Sequence, residues 1–138
     1  HIHQELSKLL LQEDDNLRII KQDELESIHK NVYDLMRISD ALITDYSSIG
    51  FDFMLLDRKI GYTIDDIERY TLGFSVSNPL DYMPGNKMRH MSDLLTFIEQ
   101  VAENIDLYHK EREKLREFLF DDLSGGYGPK LLRILGLL

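Results

Sequence analysis

Hydrophobic positions along this chain form short clusters that switch between a two-residue and a helical period. Ala41-Leu42-Ile43-Thr44 is too short for a buried helix and long enough for a strand covered on both faces, so it predicts an interior parallel strand over 41–45. Ile49, Phe53 and Leu56 then recur at helical spacing and predict a helix over 48–57. Lys59-Ile60-Gly61-Tyr62-Thr63 reads as the next strand and Ile64 to Tyr70 as a brief acidic helix. Upstream, Glu5 to Leu11 has a helical pattern, Leu17 to Ile20 is a strand candidate, and Asn31 caps a helix over 32–37. Thr71 to Met91 is broken by Gly73, Pro79, Pro84 and Gly85 and reads as a long loop with one short strand near Phe74-Ser75-Val76. Ser92 is placed as the cap of a helix to about Asn104, Asp106 as the start of a charged helix to about Phe120, and Pro129 as the first position of a last helix.

Strand and helix in alternation imply a parallel sheet with right-handed crossovers. The expected fold is therefore α/β: a Rossmann-like three-layer domain with a mainly parallel sheet, helices on both faces and a helical C-terminus. At 138 residues and 43% hydrophobic content, a single domain over 1–138 with a sizeable core is expected. The chain opens His1-Ile2-His3 without a methionine and reads as an excised piece.

Composition narrows the function. Twenty-five acidic residues against 16 basic ones give a net charge of −9, which argues against a nucleic-acid partner, since phosphate backbones need a basic face. The absence of cysteine removes disulfides and thiolate metal sites. His1 and His3 would share one strand face, but no third ligand accompanies them, so no metal site is expected. The apolar runs fall far short of a membrane span, and a cytoplasmic protein is the simplest reading.

Candidate chemistry concentrates where the first of these strands meets its helix. Asp45 and Tyr46 are followed by Ser47 and Ser48, good capping residues, so a polar cluster sits on a strand-to-helix turn. In open parallel sheets ligands bind at the carboxyl ends of the strands, where helix N-termini offer N–H groups to an anion. A helix cap without a ligand would account for the two serines equally well. Asp52 reads either as a ligand contact or as a solvent-facing helix residue. Arg58, Lys59, Arg89 and Lys130 are the bases available to offset the acidity of the domain around an anion.

The stretch DALITDYSSIGFDFMLLDRKIGY resembles the donor-binding half of the CDP-glycerol glycerophosphotransferases, which build teichoic acids and related capsule polymers. The residues that carry the resemblance are Ile43, Thr44, Asp45, Tyr46, Ser47, Ser48, Phe51, Asp52 and Phe53; Asp65, Tyr70, Gly73-Phe74 and Pro84-Gly85 follow in the family's order. Leu72 stands where the family usually has an arginine, and Asp121-Asp122-Leu123-Ser124-Gly125-Gly126 only approximates its last turn.

The resemblance implies the C-terminal, donor-nucleotide half of a two-domain enzyme of the GT-B type, with an upstream acceptor-binding half absent here. It implies transfer of glycerol phosphate, or a related polyol phosphate, from a CDP-linked donor to a polymer hydroxyl, without a cofactor. Thr44, Asp45, Tyr46, Ser47, Ser48, Asp52, Pro84, Gly85, Ser124, Gly125 and Gly126 are the implied substrate contacts. His3, with His1 as its alternative, is the implied phosphate-contacting catalytic histidine. The fragment alone is expected to be inactive, and membrane contact, at the inner face of the cell membrane, is expected only through missing parts. A nucleotide-sugar transferase and a non-catalytic phosphate-binding module are the competing readings.

Overall fold

The computed structural model describes residues 16–71, 73–120 and 125–137. The chain divides into two compact units, His1–Ser39 and Asp40–Leu138. The expected helix over 5–11 lies outside the described residues. The described part of the first unit holds α1 (Gln22–Ser27) and α2 (Val32–Ile38). Asn31 caps α2 as expected: its side-chain oxygen accepts the Tyr33 amide at 2.9 Å, and the Asp34 carboxylate accepts the Asn31 amide at 3.0 Å. That backbone donor, more than nearby Lys30, holds the Asp34 carboxyl below its ordinary pKa. The strand expected over 17–20 is not formed; only Leu17 takes part in a bridge there.

The second unit is an α/β, Rossmann-like domain built on three parallel strands in the order β1 (Ala41–Thr44), β2 (Lys59–Thr63), β3 (Asn86–Met88). Ala41 pairs with Lys59 and Thr44 with Tyr62; Gly61 pairs with Asn86 and Thr63 with Met88. Within the described sheet β2, not β1, is the interior strand, and Ile43 of β1 is 46% exposed. β3 lies inside the stretch expected to be a loop, whereas no strand forms at 74–76, where the chain bends over 75–77. The mispredicted segment is too polar to read as a strand: Asn86-Lys87-Met88 gains its place from pairing with β2, not from its own pattern.

Helices α3 (Ile49–Met54) and α4 (Met91–Ala102) pack on the sheet from opposite sides. Successive strand residues point to opposite faces. On β2, a Cβ at Gly61 would meet Phe97 of α4 at 3.1 Å, while the Tyr62 ring lies where a Cβ at Gly50 of α3 would be, 3.2 Å away. Phe53, Met54, Ile60, Tyr62, Met88 and Phe97 form the core between these layers. Burial raises the Tyr62 phenol well above its ordinary pKa. Gly85 brings β3 against β2: a Cβ there would stand 2.0 Å from the Ile60 carbonyl oxygen and 3.1 Å from the other side of the Tyr62 ring.

Helix boundaries follow the hydrogen bonds available. α4 begins after His90, not Ser92, because Asp93 accepts two backbone amides, those of Arg89 and His90, each at 2.9 Å. These two bonds hold the Asp93 carboxyl below its ordinary pKa. α4 closes with Asn104 left-handed (φ 56°), the Asn104 amide on the Val101 carbonyl and the Ile105 amide on that of Gln100. The acidic helix expected over 64–70 is one 3-10 turn, Ile67–Arg69. The last helix, α6 (Tyr127–Ile134), starts after left-handed Gly126, so Pro129 is its third residue.

The charged helix α5 (His109–Leu119) starts later than Asp106 because that carboxylate has another partner. Arg112 of α5 is wholly buried, with Nη1 on Asp106 Oδ1 at 3.0 Å and Nη2 on Oδ2 at 2.5 Å. Asp57, left-handed at φ 52° after α3, accepts Nη2 at 3.4 Å and lies 3.7 Å from Arg116. Asp57 precedes β2, so this cluster sits at the amino end of the strands. The expected solvated face of α5 thus carries one fully buried cation.

Arg112 is 1% exposed at its side chain, but Asp57 and Asp106 are 29% and 27% exposed and retain water. Removing a carboxylate strands a buried charge, whereas replacing the arginine by an apolar residue does not. Asp106→Ala is expected to cost about 3 kcal/mol and Arg112→Met clearly less, as urea denaturation of each variant will measure. The hydrogen bond from Arg112 depresses the Asp106 carboxyl. Its stabilisation is therefore present above the unfolded carboxyl pKa of about 3.8 and is lost as pH falls through the lower folded value. The acid limb of stability against pH is expected to flatten in Asp106→Asn.

Candidate functional site

The carboxyl edge of β1 leads directly into the polar turn. Asp45 Oδ1 accepts the Ser47 amide at 2.9 Å, an Asx turn that reverses the chain after the strand. The Ser47 hydroxyl lies 3.5 Å from the Ile49 amide, and the Ser47 and Ser48 carbonyls accept the amides of Gly50 and Phe51 at 3.2 and 3.0 Å. Ser48 itself takes a helical conformation and makes no side-chain cap. Most first-turn amides are thus paired inside the turn, and α3 has only six residues. What the turn presents outward is side-chain chemistry, since Asp45, Ser47 and Ser48 are all exposed.

Tyr46 is the one member of the turn that points into structure. Its hydroxyl donates to Asp66 Oδ1 at 2.7 Å. Its ring lies 4.5 Å from that of Tyr70 and 5.2 Å, edge-on, from that of Phe74, and Tyr70 and Phe74 stack at 4.8 Å. Burial, then the Asp66 carboxylate, push the Tyr46 phenol far above its ordinary pKa, so it remains a donor throughout the neutral range. Thr44 lies under the turn, its carbonyl accepting the Thr63 hydroxyl at 3.3 Å.

The other expected site residues are placed differently. Asp52 lies in the first turn of α3 and is half-buried. Pro84 and Gly85 are buried, and Gly85 is joined to the turn through packing: it and Gly50 lie on either side of the Tyr62 ring. Gly125 and Gly126 are left-handed, with open space where a Cβ would stand, and form the entry to α6. His1, His3 and Ser124 lie outside the described residues. Of the four candidate bases, Arg58 and Lys59 open β2 at the end of the sheet opposite the turn, and Lys59 Nζ donates to Asn104 at 2.7 Å. Lys130 lies over the Tyr127 ring, at 5.3 Å from its centroid. Arg89 follows β3 at the carboxyl edge and pairs with Glu68 at 2.9 Å.

Asp66 was not visible as a site residue from the sequence. Its partner is twenty positions away, and the Asp65-Asp66 pair reads as ordinary surface acidity. Among the described residues there is no cluster of histidine and acidic side chains able to hold a metal ion, and no helix long and apolar enough to cross a membrane.

Comparison with known proteins gives the family. The family model of the CDP-glycerol:poly(glycerophosphate) glycerophosphotransferases matches residues 2–129. The chain is 33% identical over 104 residues to the teichoic acid ribitol-phosphate primase of Bacillus spizizenii, covering 75% of this chain and 25% of that protein. It is 33% identical over 89 residues to the teichoic acid glycerol-phosphate transferase of Staphylococcus aureus, covering 62% of this chain and 23% of the relative. A 44-residue stretch is 52% identical to the teichoic acid poly(glycerol phosphate) polymerase of Bacillus spizizenii, covering 32% of this chain and 11% of the relative. No solved structure matches. The chain spans about a quarter of the length of the first two relatives. With nearly its whole length matched, this chain belongs to the CDP-glycerol:poly(glycerophosphate) glycerophosphotransferase family.

Proposed function

We propose that the carboxyl edge of this sheet binds the CDP-linked donor of a polyol-phosphate transferase that extends or primes a teichoic-acid-like or capsular polymer. The observation that carries the reading is the exposed Asp45-Tyr46-Ser47-Ser48 turn at the end of a parallel strand, in a chain of this family. The relatives are named for both glycerol phosphate and ribitol phosphate, so the donor class proposed is a CDP-polyol.

In the reaction, an acceptor hydroxyl attacks the phosphorus that carries the polyol. A new P–O bond forms, the P–O bond to CMP breaks, and the hydroxyl proton passes to a base. Such transfer requires alignment and charge neutralisation more than covalent participation. The Ser47 and Ser48 hydroxyls are suited to donate to phosphate oxygens, and Asp45 to orient the turn and accept from a donor hydroxyl. Arg89, at the same edge, is a base suited to offset the phosphate charge. His3 is proposed as the phosphate-contacting histidine, and Gly125 with Gly126 as further donor contacts. The acceptor half, the base and any attachment at the inner membrane face are proposed to belong to the rest of the enzyme, which acts in the cytoplasm.

Thermal denaturation with CDP-glycerol, CDP-ribitol, CMP and UDP-glucose tests this reading. Cytidine nucleotides at a hundred times their dissociation constant are expected to stabilise the chain by about 2.7 kcal/mol, and UDP-glucose not. Ser47→Ala combined with Ser48→Ala is expected to abolish the stabilisation. Full stabilisation of that double variant overturns the site; stabilisation by UDP-glucose alone favours a nucleotide-sugar transferase.

A further inference from the structure

We infer that Asp66 is a positioning residue for the donor turn, acting through the hydroxyl of Tyr46. Its consequence for donor binding rests on the reading proposed above, but the geometry that assigns it does not.

Inside the turn after β1 the Asp45 carboxylate accepts the Ser47 amide and the Ser47 and Ser48 carbonyls accept those of Gly50 and Phe51, while the serine side chains are exposed. These bonds are local, and the Thr63 hydroxyl on the Thr44 carbonyl and the packing of α3 fix only the two ends of the turn. Tyr46 supplies the missing anchor. One hydrogen bond to Asp66 and ring contacts with Tyr70 and Phe74 join it to the segment that follows β2. That segment is in turn tied to β3: the Ile64 amide donates to the Met88 carbonyl at 2.9 Å, and Glu68 pairs with Arg89 at 2.9 Å. Asp66 therefore closes a chain of contacts running across all three strand ends. A carboxylate is the fitting acceptor, because a charge-assisted bond is shorter and stronger than a neutral one, and the Tyr46 phenol remains protonated to donate it.

The rings alone would hold Tyr46 near its place while leaving it free to rotate in the plane of the contact. The hydrogen bond removes that freedom, and Ser47 follows Tyr46 directly in the chain. Losing it should therefore disturb the turn far more than the core, which lies beneath at Phe53 and Tyr62.

The test measures CDP-glycerol affinity by calorimetry, well below the melting temperature, alongside amide hydrogen exchange over residues 46–50. Asp66→Ala and Tyr46→Phe are each expected to weaken binding roughly tenfold and to speed exchange in the turn equally, with little change in melting temperature. The double variant is expected to be no worse than either single one, because both remove the same bond. Asp66→Asn, which keeps an acceptor oxygen, is expected to recover most of the affinity. Glu113→Ala, at an exposed position of α5, is expected to leave affinity unchanged. Additive losses, or wild-type affinity and exchange in Asp66→Ala, overturn the role. If the unsubstituted chain binds no CDP-glycerol, the donor reading falls, and the exchange comparison alone decides whether Asp66 holds the turn.

Discussion

The fold depends on how closely its third strand approaches its second. The backbone of Gly85 rests against the Ile60 carbonyl at a distance that admits no side chain, and the Tyr62 ring fills the space between Gly85 and Gly50. Protein interiors tolerate little change in volume, so this three-part contact sets the spacing of β2 and β3 and the seat of α3 together. The position of α3 determines where its leading turn emerges. Two glycines without any chemistry of their own thus place a polar turn that has it.

The two ends of the sheet solve opposite electrostatic problems. At the amino end a fully buried guanidinium is paired with Asp106 and Asp57 through its two Nη atoms, its Nε making no hydrogen bond, and α5 is anchored by charge instead of by an apolar stripe. A depression lined by Asp40, Asp57, Lys59, Asn104 and Asp106 lies there, and within its lining Lys59 donates to Asn104. At the carboxyl end the polar groups of Asp45, Ser47 and Ser48 remain exposed, held by an aromatic cluster and a single tyrosine-aspartate bond. Rigid support beneath exposed polar side chains is what a binding edge requires. An acidic chain can host an anion there if binding uses local hydroxyls and one or two bases, since net charge governs only the long-range field.

The alternation of apolar runs was enough to read the fold class, β1, β2 and α3, because those segments carry their own hydrophobic period, which in β2 and α3 is also buried. It failed where tertiary context decides. Asn86-Lys87-Met88 is a strand because Gly85 lets it approach β2, and Asp106 is drawn out of a helix by Arg112. The capping chemistry was half legible: Asn31 caps as read, but Asp93 outcompetes Ser92 by accepting two amides, and Ser48 caps nothing. The turn at 45–48 was found from residue types alone. The partner that orients it was not, since a bond between Tyr46 and Asp66 spans two loops and leaves no local pattern. Arg58 and Lys59 looked close to the turn in sequence, yet parallel pairing carries them to the far end.

The central claim is that this family member holds its donor on the carboxyl edge of the sheet, and backbone amide chemical shifts followed during a CDP-glycerol titration test it most directly. The account predicts saturable changes concentrated over 44–50 and 66–74. Changes confined to residues 57–59 and 102–106, at the amino end, would contradict it.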